Sequence, residues 1–139
     1  MKRFSLILFS TLIFYCNLQT SPAQLCVAQD VKVSTGSGIA VFINGTVLKD
    51  ILITLSRDFR GEKIVKEVRT DESGQFSFGE VKSGQYYVLV RNIEYLSDLV
   101  VKVKIKKKYG RKNPTGIKIV MGVNLGGCSH AEPQILKEG

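Results

Sequence analysis

The sequence predicts an all-β fold, a sandwich of about seven antiparallel strands. Apolar and polar residues alternate with a period of two in short segments, and turn residues separate these segments about every ten positions. No long window shows the spacing of an amphipathic helix. Because 139 residues with 44% hydrophobic content are typical of one small globular domain, we expect the strands to form two packed sheets.

The first three expected strands are short segments bounded by turn residues. In the second, Ile51, Ile53 and Leu55 occupy alternate positions, so they share one face that we expect to point inward. In the third, Ile64 and Val68 are expected to face the core. We place these strands at residues 39–44, 51–57 and 63–70.

The last four expected strands include the two clearest patterns. The sixth alternates four apolar residues with Lys102, Lys104 and Lys106, so the lysines are expected to point outward. The fifth is apolar on both faces, with Tyr87 and Leu89 opposite its core residues, which predicts a central or partly covered strand. We place these strands at residues 75–79, 85–92, 99–106 and 117–123.

A hairpin and a following strand carry a resemblance to a known family. Residues 70–78 (TDESGQFSF) and 81–90 (VKSGQYYVLV) resemble the T-D-x-x-G-x-F hairpin and P-G-x-Y-x-L-x-V strand of carboxypeptidase regulatory-like domains. Ser83 stands where that family usually has proline. The resemblance covers residues 38–106 and implies an Ig-like or prealbumin-like sandwich, similar in architecture to carbohydrate-binding folds. It implies an accessory module without catalysis, and it carries over no functional residue.

The N-terminal segment has the features of a secretory signal peptide. Two cations at positions 2 and 3 precede an apolar run over residues 4–15, and small residues stand before a cleavage point after Ala23. The run of about twelve residues is short for a hydrocarbon core of about 30 Å. We expect cleavage and a secreted, periplasmic or cell-envelope protein that does not span a membrane. An uncleaved N-terminal anchor is the alternative.

Cleavage would leave one cysteine near each end of the mature chain. Cys16 is removed, and Cys26 and Cys128 predict one disulfide in an exported protein. Free thiols, an intermolecular bond or a reducing compartment are the alternatives. We divide the chain into a signal peptide (1–23), a linker (24–38), the sandwich (39–123) and a tail (124–139).

One segment holds most of the excess positive charge. Removing the leader lowers the formal net charge from +8 to +6, and residues 102–112 contain seven cations and no acid. Such a concentration of charge is expected to attract polyanions, with an anionic glycan or an envelope surface as the partner. Nucleic acid is not expected, because Tyr109 is the only aromatic residue in the segment. The alternative is that the lysines protect a sheet edge from aggregation. The cations are Lys102, Lys104, Lys106, Lys107, Lys108, Arg111 and Lys112.

The sequence predicts no catalytic residue, no cofactor and no metal site. His130 follows Cys128 closely but has no third ligand nearby, and the acidic turn at Asp71 supplies too few oxygens for Ca²⁺. We therefore expect a non-catalytic exported module that binds or scaffolds at the cell envelope. The alternative is an assembly module that meets another envelope protein through a strand edge or through Tyr87 and Leu89.

Overall fold

The computed structural model describes residues 30–110, 112–123 and 127–136, and over these ranges the protein is an all-β sandwich. The predicted signal peptide, Cys26 and Arg111 lie outside the described residues. The only helical segment in these ranges is a short 3-10 turn, η1 (Lys107–Gly110). No described helix is long and apolar enough to cross a bilayer.

The strands form two sheets, which confirms the predicted fold class. Strands β1 (Val31–Val33), β3 (Leu52–Ser56), β4 (Ile64–Arg69), β6 (Gly84–Val90) and β7 (Leu99–Ile105) form a sheet in the order β1-β7-β6-β3-β4. Strands β2 (Ser37–Phe42), β5 (Gln75–Ser77), β8 (Thr115–Met121) and β9 (His130–Ile135) form a sheet in the order β5-β2-β8-β9. The β1–β7 and β2–β8 pairs are parallel and the others are antiparallel, so both sheets are mixed. The described residues form nine strands, which corrects the expectation of about seven strands that are all antiparallel.

The structure corrects two of the predicted boundaries. Strand β1 and the start of β2 lie within the predicted linker 24–38, and β9 lies within the predicted tail 124–139. Strand β1 has only three residues, which is too short to show a period on its own. Strand β9 contains Pro133, which argues against a strand in sequence but is tolerated here because β9 is an edge strand.

The core lies between the inward faces of the two sheets. Alternate residues of β3, β6 and β7 point into it, and Tyr86, Val88 and Val103 are at most 1% exposed. Ile64, which we expected to be inward, is 52% exposed because a bulge shifts the pairing of β3 and β4 between Leu55 and Ser56.

The strand directions define two ends of the sandwich. Gly84 lies beside Ile105 in the β6–β7 pair, so the segment that follows β7 leaves from the same end as the loop that precedes β6. The loop over residues 91–98 lies at the opposite end, where the Ser97 N–H donates to the Gly122 carbonyl over 2.9 Å. The segment after β7 and the loop over residues 91–98 therefore lie at opposite ends of the sandwich.

A glycine at a close approach between β2 and β8 provides a test of this packing. A Cβ atom at Gly38 would collide with the carbonyl oxygen of Ile117, which is backbone and cannot move aside. We expect Gly38→Ala to lower the free energy of unfolding by about 1–3 kcal/mol. Urea unfolding measures this, with Ser37→Ala as the control. Equal stability of Gly38→Ala and wild type would contradict the β2–β8 register.

Candidate functional site

The alternation along β7 places two of the predicted cations on one sheet face. Val101, Val103 and Ile105 point into the core, so Lys102 and Lys104 project from the outer face of the five-stranded sheet. This arrangement confirms the outward direction that the sequence predicts for both lysines.

Strand β1 adds a cation that the sequence analysis missed. Lys32 is exposed and lies directly opposite Lys104 in the parallel β1–β7 pair. Neither lysine forms an ion pair with a described residue. Lys102 differs, because its Nζ lies 3.6 Å from Oδ2 of Asp30. The outer face therefore holds two uncompensated ammonium groups on neighbouring strands.

The segment after β7 continues this positive charge around the end of the sandwich. The Lys106 N–H donates to the Val33 carbonyl over 2.9 Å, and the Lys106 Nζ lies 6.0 Å from the centre of the Tyr109 ring. Lys107 and Lys108 are exposed in η1. We define the basic surface by its described cations without an ion pair: Lys32, Lys104, Lys106, Lys107, Lys108 and Lys112.

The basic surface has an electrostatic cost within the folded protein. Like charges directly opposite each other on neighbouring strands are destabilising by a few tenths of a kcal/mol up to about 1 kcal/mol. Edge protection does not account for Lys104, because this residue pairs with Lys32 of β1 on one side and with Gln85 of β6 on the other. The alternative that the lysines protect an edge is therefore wrong for Lys104.

Strand β6 supplies polar and aromatic groups beside the lysines. Gln85 pairs with Lys104 and Tyr87 pairs with Lys102 across the β6–β7 ladder, so both side chains lie on the same outer face. Gln85 is exposed and Tyr87 is half-buried. The Tyr87 side chain makes no hydrogen bond or ring contact with another residue that the structure describes.

The neighbouring part of this face is covered by the loop between β3 and β4. The Arg91 guanidinium donates to the carbonyl of Phe59 over 2.9 Å and to the carbonyl of Arg60 over 2.7 Å. This holds Gly61 close to Leu89, which is only 3% exposed. Leu89 is therefore not available as the partner surface that we expected for an assembly module.

The Asp58 side chain stabilises the same loop by accepting hydrogen bonds from the loop backbone. Its carboxylate accepts the backbone N–H groups of Arg60, Glu62 and Lys63 over 2.9, 3.2 and 2.6 Å. Burial raises the pKa of Asp58, but these N–H groups and the Ser56 hydroxyl together hold that pKa below its ordinary value. The loop therefore depends on an ionised carboxylate.

The outer face of the four-stranded sheet differs in shape and charge. It carries an open cleft of about 790 Å³ beside Ser37 and Ser77, whose hydroxyl oxygens are 2.8 Å apart. Oε1 of Gln134, another lining residue, is buried without a hydrogen-bond partner. Farther along this face, a hydrogen bond from Lys118 lowers the pKa of Glu132, over 2.7 Å between Nζ and Oε1. The positive charge of Lys118 on this face is thus partly neutralised.

The remaining candidates from the sequence stay apart from these features. His130 is exposed, and its Nδ1 lies 3.4 Å from the Cys128 carbonyl. Asp71 Oδ1 accepts the backbone N–H groups of Ser73 and Gln75, which is turn chemistry. Within the described ranges, no group of three or more His, Cys, Asp or Glu side chains could hold a metal ion.

Comparisons with known proteins give a fold likeness and no family. No family model matches the chain, and no curated protein matches it. A solved structure, that of 5-hydroxyisourate hydrolase from Klebsiella pneumoniae, matches with a TM-score of 0.50 and 15% sequence identity. The match covers 77% of this chain and 96% of the hydrolase chain. The likeness supports a prealbumin-like sandwich and does not identify a carboxypeptidase regulatory-like domain.

This comparison corrects the expectation that the protein is not an enzyme. The solved structure that shares the fold is a hydrolase, so the fold gives no ground for excluding catalysis. At 15% identity the likeness concerns the fold alone, and it assigns no activity or catalytic residue to this chain.

The Asp58 loop makes a prediction about acid stability. Because the folded-state pKa lies below the unfolded one, the carboxylate contributes stability above the unfolded pKa. This contribution is lost as the pH falls through the folded pKa. We expect Asp58→Asn to destabilise the protein at pH 7, and the difference from wild type to shrink as the pH falls through the lowered folded-state pKa of Asp58. Urea unfolding across pH 2–7 measures it, and a difference that persists at pH 2 would contradict this role.

Proposed function

We propose that this protein is an exported β-sandwich module that binds an anionic polymer at the cell envelope through the basic surface. The observation that carries the proposal is the pair Lys32 and Lys104, which face each other on neighbouring strands and have no acidic partner among the described residues. Such a pair is costly in the free protein and is relieved by a bound anion.

The spacing of the cations suits a ligand with repeated charges. Neighbouring strands are about 4.8 Å apart, and alternate residues of one strand are about 7 Å apart. The backbone positions of Lys32 and Lys104 therefore lie within one Debye length, about 8 Å at physiological ionic strength, and Lys106 follows directly after β7. A polymer with several anionic groups can contact them together, and each contact displaces counterions.

The strand edges favour this function over assembly with another protein by strand addition. The edge strands β1 and β5 have three residues each, which leaves few backbone groups to pair. The other two edge strands carry protective features: a bulge opposite Leu55 and Ser56 in β4, and Pro133 in β9. These features are typical of edges that are protected from pairing.

The leader pattern of residues 1–23 supports export of the protein. The motif at residues 70–78 supports a relation to carboxypeptidase regulatory-like domains. Modules of that family act by attachment or binding. The proposed function is consistent with such a role, and it makes no claim about catalysis.

Polymer binding through the basic surface predicts a strong dependence on salt. We expect wild-type protein to be retained on an immobilised anionic glycan at 50 mM salt, and to be released by about 300 mM salt. The triple variant Lys104→Ser, Lys107→Ser, Lys108→Ser is expected to lose most of this retention. Elution position in a salt series measures both effects.

A matched control removes the same charge elsewhere. Lys49, Arg60 and Lys63 are exposed and lie outside the basic surface, so their replacement by serine lowers the net charge equally. We expect this control to elute close to wild type. Equal behaviour of the two triple variants would show that only net charge matters, and that result would overturn the basic surface as the site.

The predicted disulfide remains part of the proposal, because Cys26 lies outside the described residues. Ser129, the neighbour of Cys128, donates its hydroxyl to the Ser97 carbonyl over 2.7 Å, just before β7 begins. Asp30 contacts β7 farther along, and Cys26 is four residues upstream of it, an extended reach of about 13 Å. The pairing is therefore within reach of the chain.

Bonding of Cys26 to Cys128 would close a loop of about a hundred residues. The chain-entropy model gives roughly 4–5 kcal/mol of stabilisation for such a loop. We expect the mature protein to resist thiol alkylation until it is reduced, and reduction to lower its melting temperature. Mass spectrometry after alkylation provides the measurement, and modification of both cysteines without reduction would contradict the pairing.

A further inference from the structure

The part of the outer face next to Lys104 carries an amide group and an aromatic ring in addition to its charges. Gln85, Tyr87 and Lys102 surround Lys104 on neighbouring positions of β6 and β7. The Gln85 side chain makes no hydrogen bond with a described residue, so its amide offers both donors and an acceptor. The Tyr87 hydroxyl is equally without a partner in the described ranges.

These groups together have the chemistry that binds sugars with acidic substituents. An aromatic ring packs against the apolar face of a sugar, while amide and hydroxyl groups bond its hydroxyls. Ammonium groups bind carboxylates through charge-assisted hydrogen bonds. The Tyr87 ring is diagonal to Lys104, and diagonal neighbours in a sheet lie about 7–8 Å apart between Cα atoms. A sugar ring stacked on Tyr87 would therefore lie within reach of the long Lys104 side chain.

A lipid surface is less well matched by the same region. Stable membrane binding needs apolar insertion in addition to charge. Three exposed apolar side chains, Ile43, Tyr95 and Val123, lie at the end of the sandwich opposite the basic surface. Phe59 and Ile64 are also exposed and lie in the β3–β4 loop and at the start of β4, on the far side of the same sheet. A membrane that contacts the lysines would not contact the three side chains at the opposite end, and the vesicle measurement below tests whether Phe59 and Ile64 contribute.

We propose that the anionic polymer is an acidic polysaccharide, with a sugar ring stacked on Tyr87 and its carboxylates bound by Lys104 and Lys32. This inference rests on the proposed function and specifies its ligand. Gln85 bonds the sugar hydroxyls, and the lysines of η1 and Lys112 bind more distant acidic groups of the same chain.

The test compares three polyanions that differ in the groups that carry their charges: sugar rings, phosphates alone and a lipid surface. Binding is measured by calorimetry at 50 mM salt with a polyuronic acid, with inorganic polyphosphate and with vesicles containing an anionic lipid. We expect Tyr87→Ala to weaken polyuronate binding by about tenfold or more, and to change polyphosphate binding by less than twofold. Gln85→Ala, at an exposed position, is expected to weaken polyuronate binding by about threefold to tenfold.

Controls keep the outcomes distinct. Tyr87→Phe retains the ring and is expected to keep most of the affinity, while Tyr95→Ala removes an exposed tyrosine from the opposite end and is expected to have no effect. Suppose that all three polyanions bind, and that Tyr87→Ala and Gln85→Ala change the binding of all three equally. The polysaccharide inference is then overturned and the proposed function stands. Tighter binding to vesicles than to polyuronate would also overturn it. If wild type binds none of them, the proposed function itself fails.

Discussion

The burial of one face of β7 is the constraint on which the rest of this structure depends. Val101 and Val103 are at most 1% exposed, so the lysines between and after them must lie on the opposite face. A slip of one residue would place Lys102 and Lys104 in the core and the valines in solvent, which the cost of burying unpaired charge excludes. The same register that builds the core therefore builds the basic surface.

The position of β1 converts this row of lysines into a two-strand surface. The chain passes from β1 in one sheet to β2 in the other, and Ser34 at this crossing exchanges hydrogen bonds with Thr115 at the start of β8. These contacts hold the residue after β1 against β8, and the Lys106 N–H donates to the Val33 carbonyl beside the end of β7, in the parallel register in which Lys32 faces Lys104. A small cluster of hydroxyl and backbone groups thus positions the charge that the protein presents to a ligand.

The sequence was most informative where alternation is strong and uninterrupted. Strands β6 and β7 could be predicted because each has seven residues with apolar positions two apart. The place of Lys32 beside Lys104 could not be predicted. The three residues of β1 are too few to show a period, and their partner strand β7 is more than seventy residues away in sequence. The loop held by Arg91 over Leu89 was also beyond sequence reasoning, because it depends on backbone carbonyls that any residue supplies.

We propose above all that the ligand contacts the outer face formed by β1, β6 and β7. Amide chemical-shift mapping with a short uronic-acid oligosaccharide tests it most directly. We expect the largest shifts at Lys32, Gln85, Tyr87 and Lys104, and we expect these shifts to decrease as the salt concentration is raised. Shifts centred instead on Ser37, Ser77 and Gln134, in the cleft of the four-stranded sheet, would contradict the claim and place the site on the other side of the sandwich.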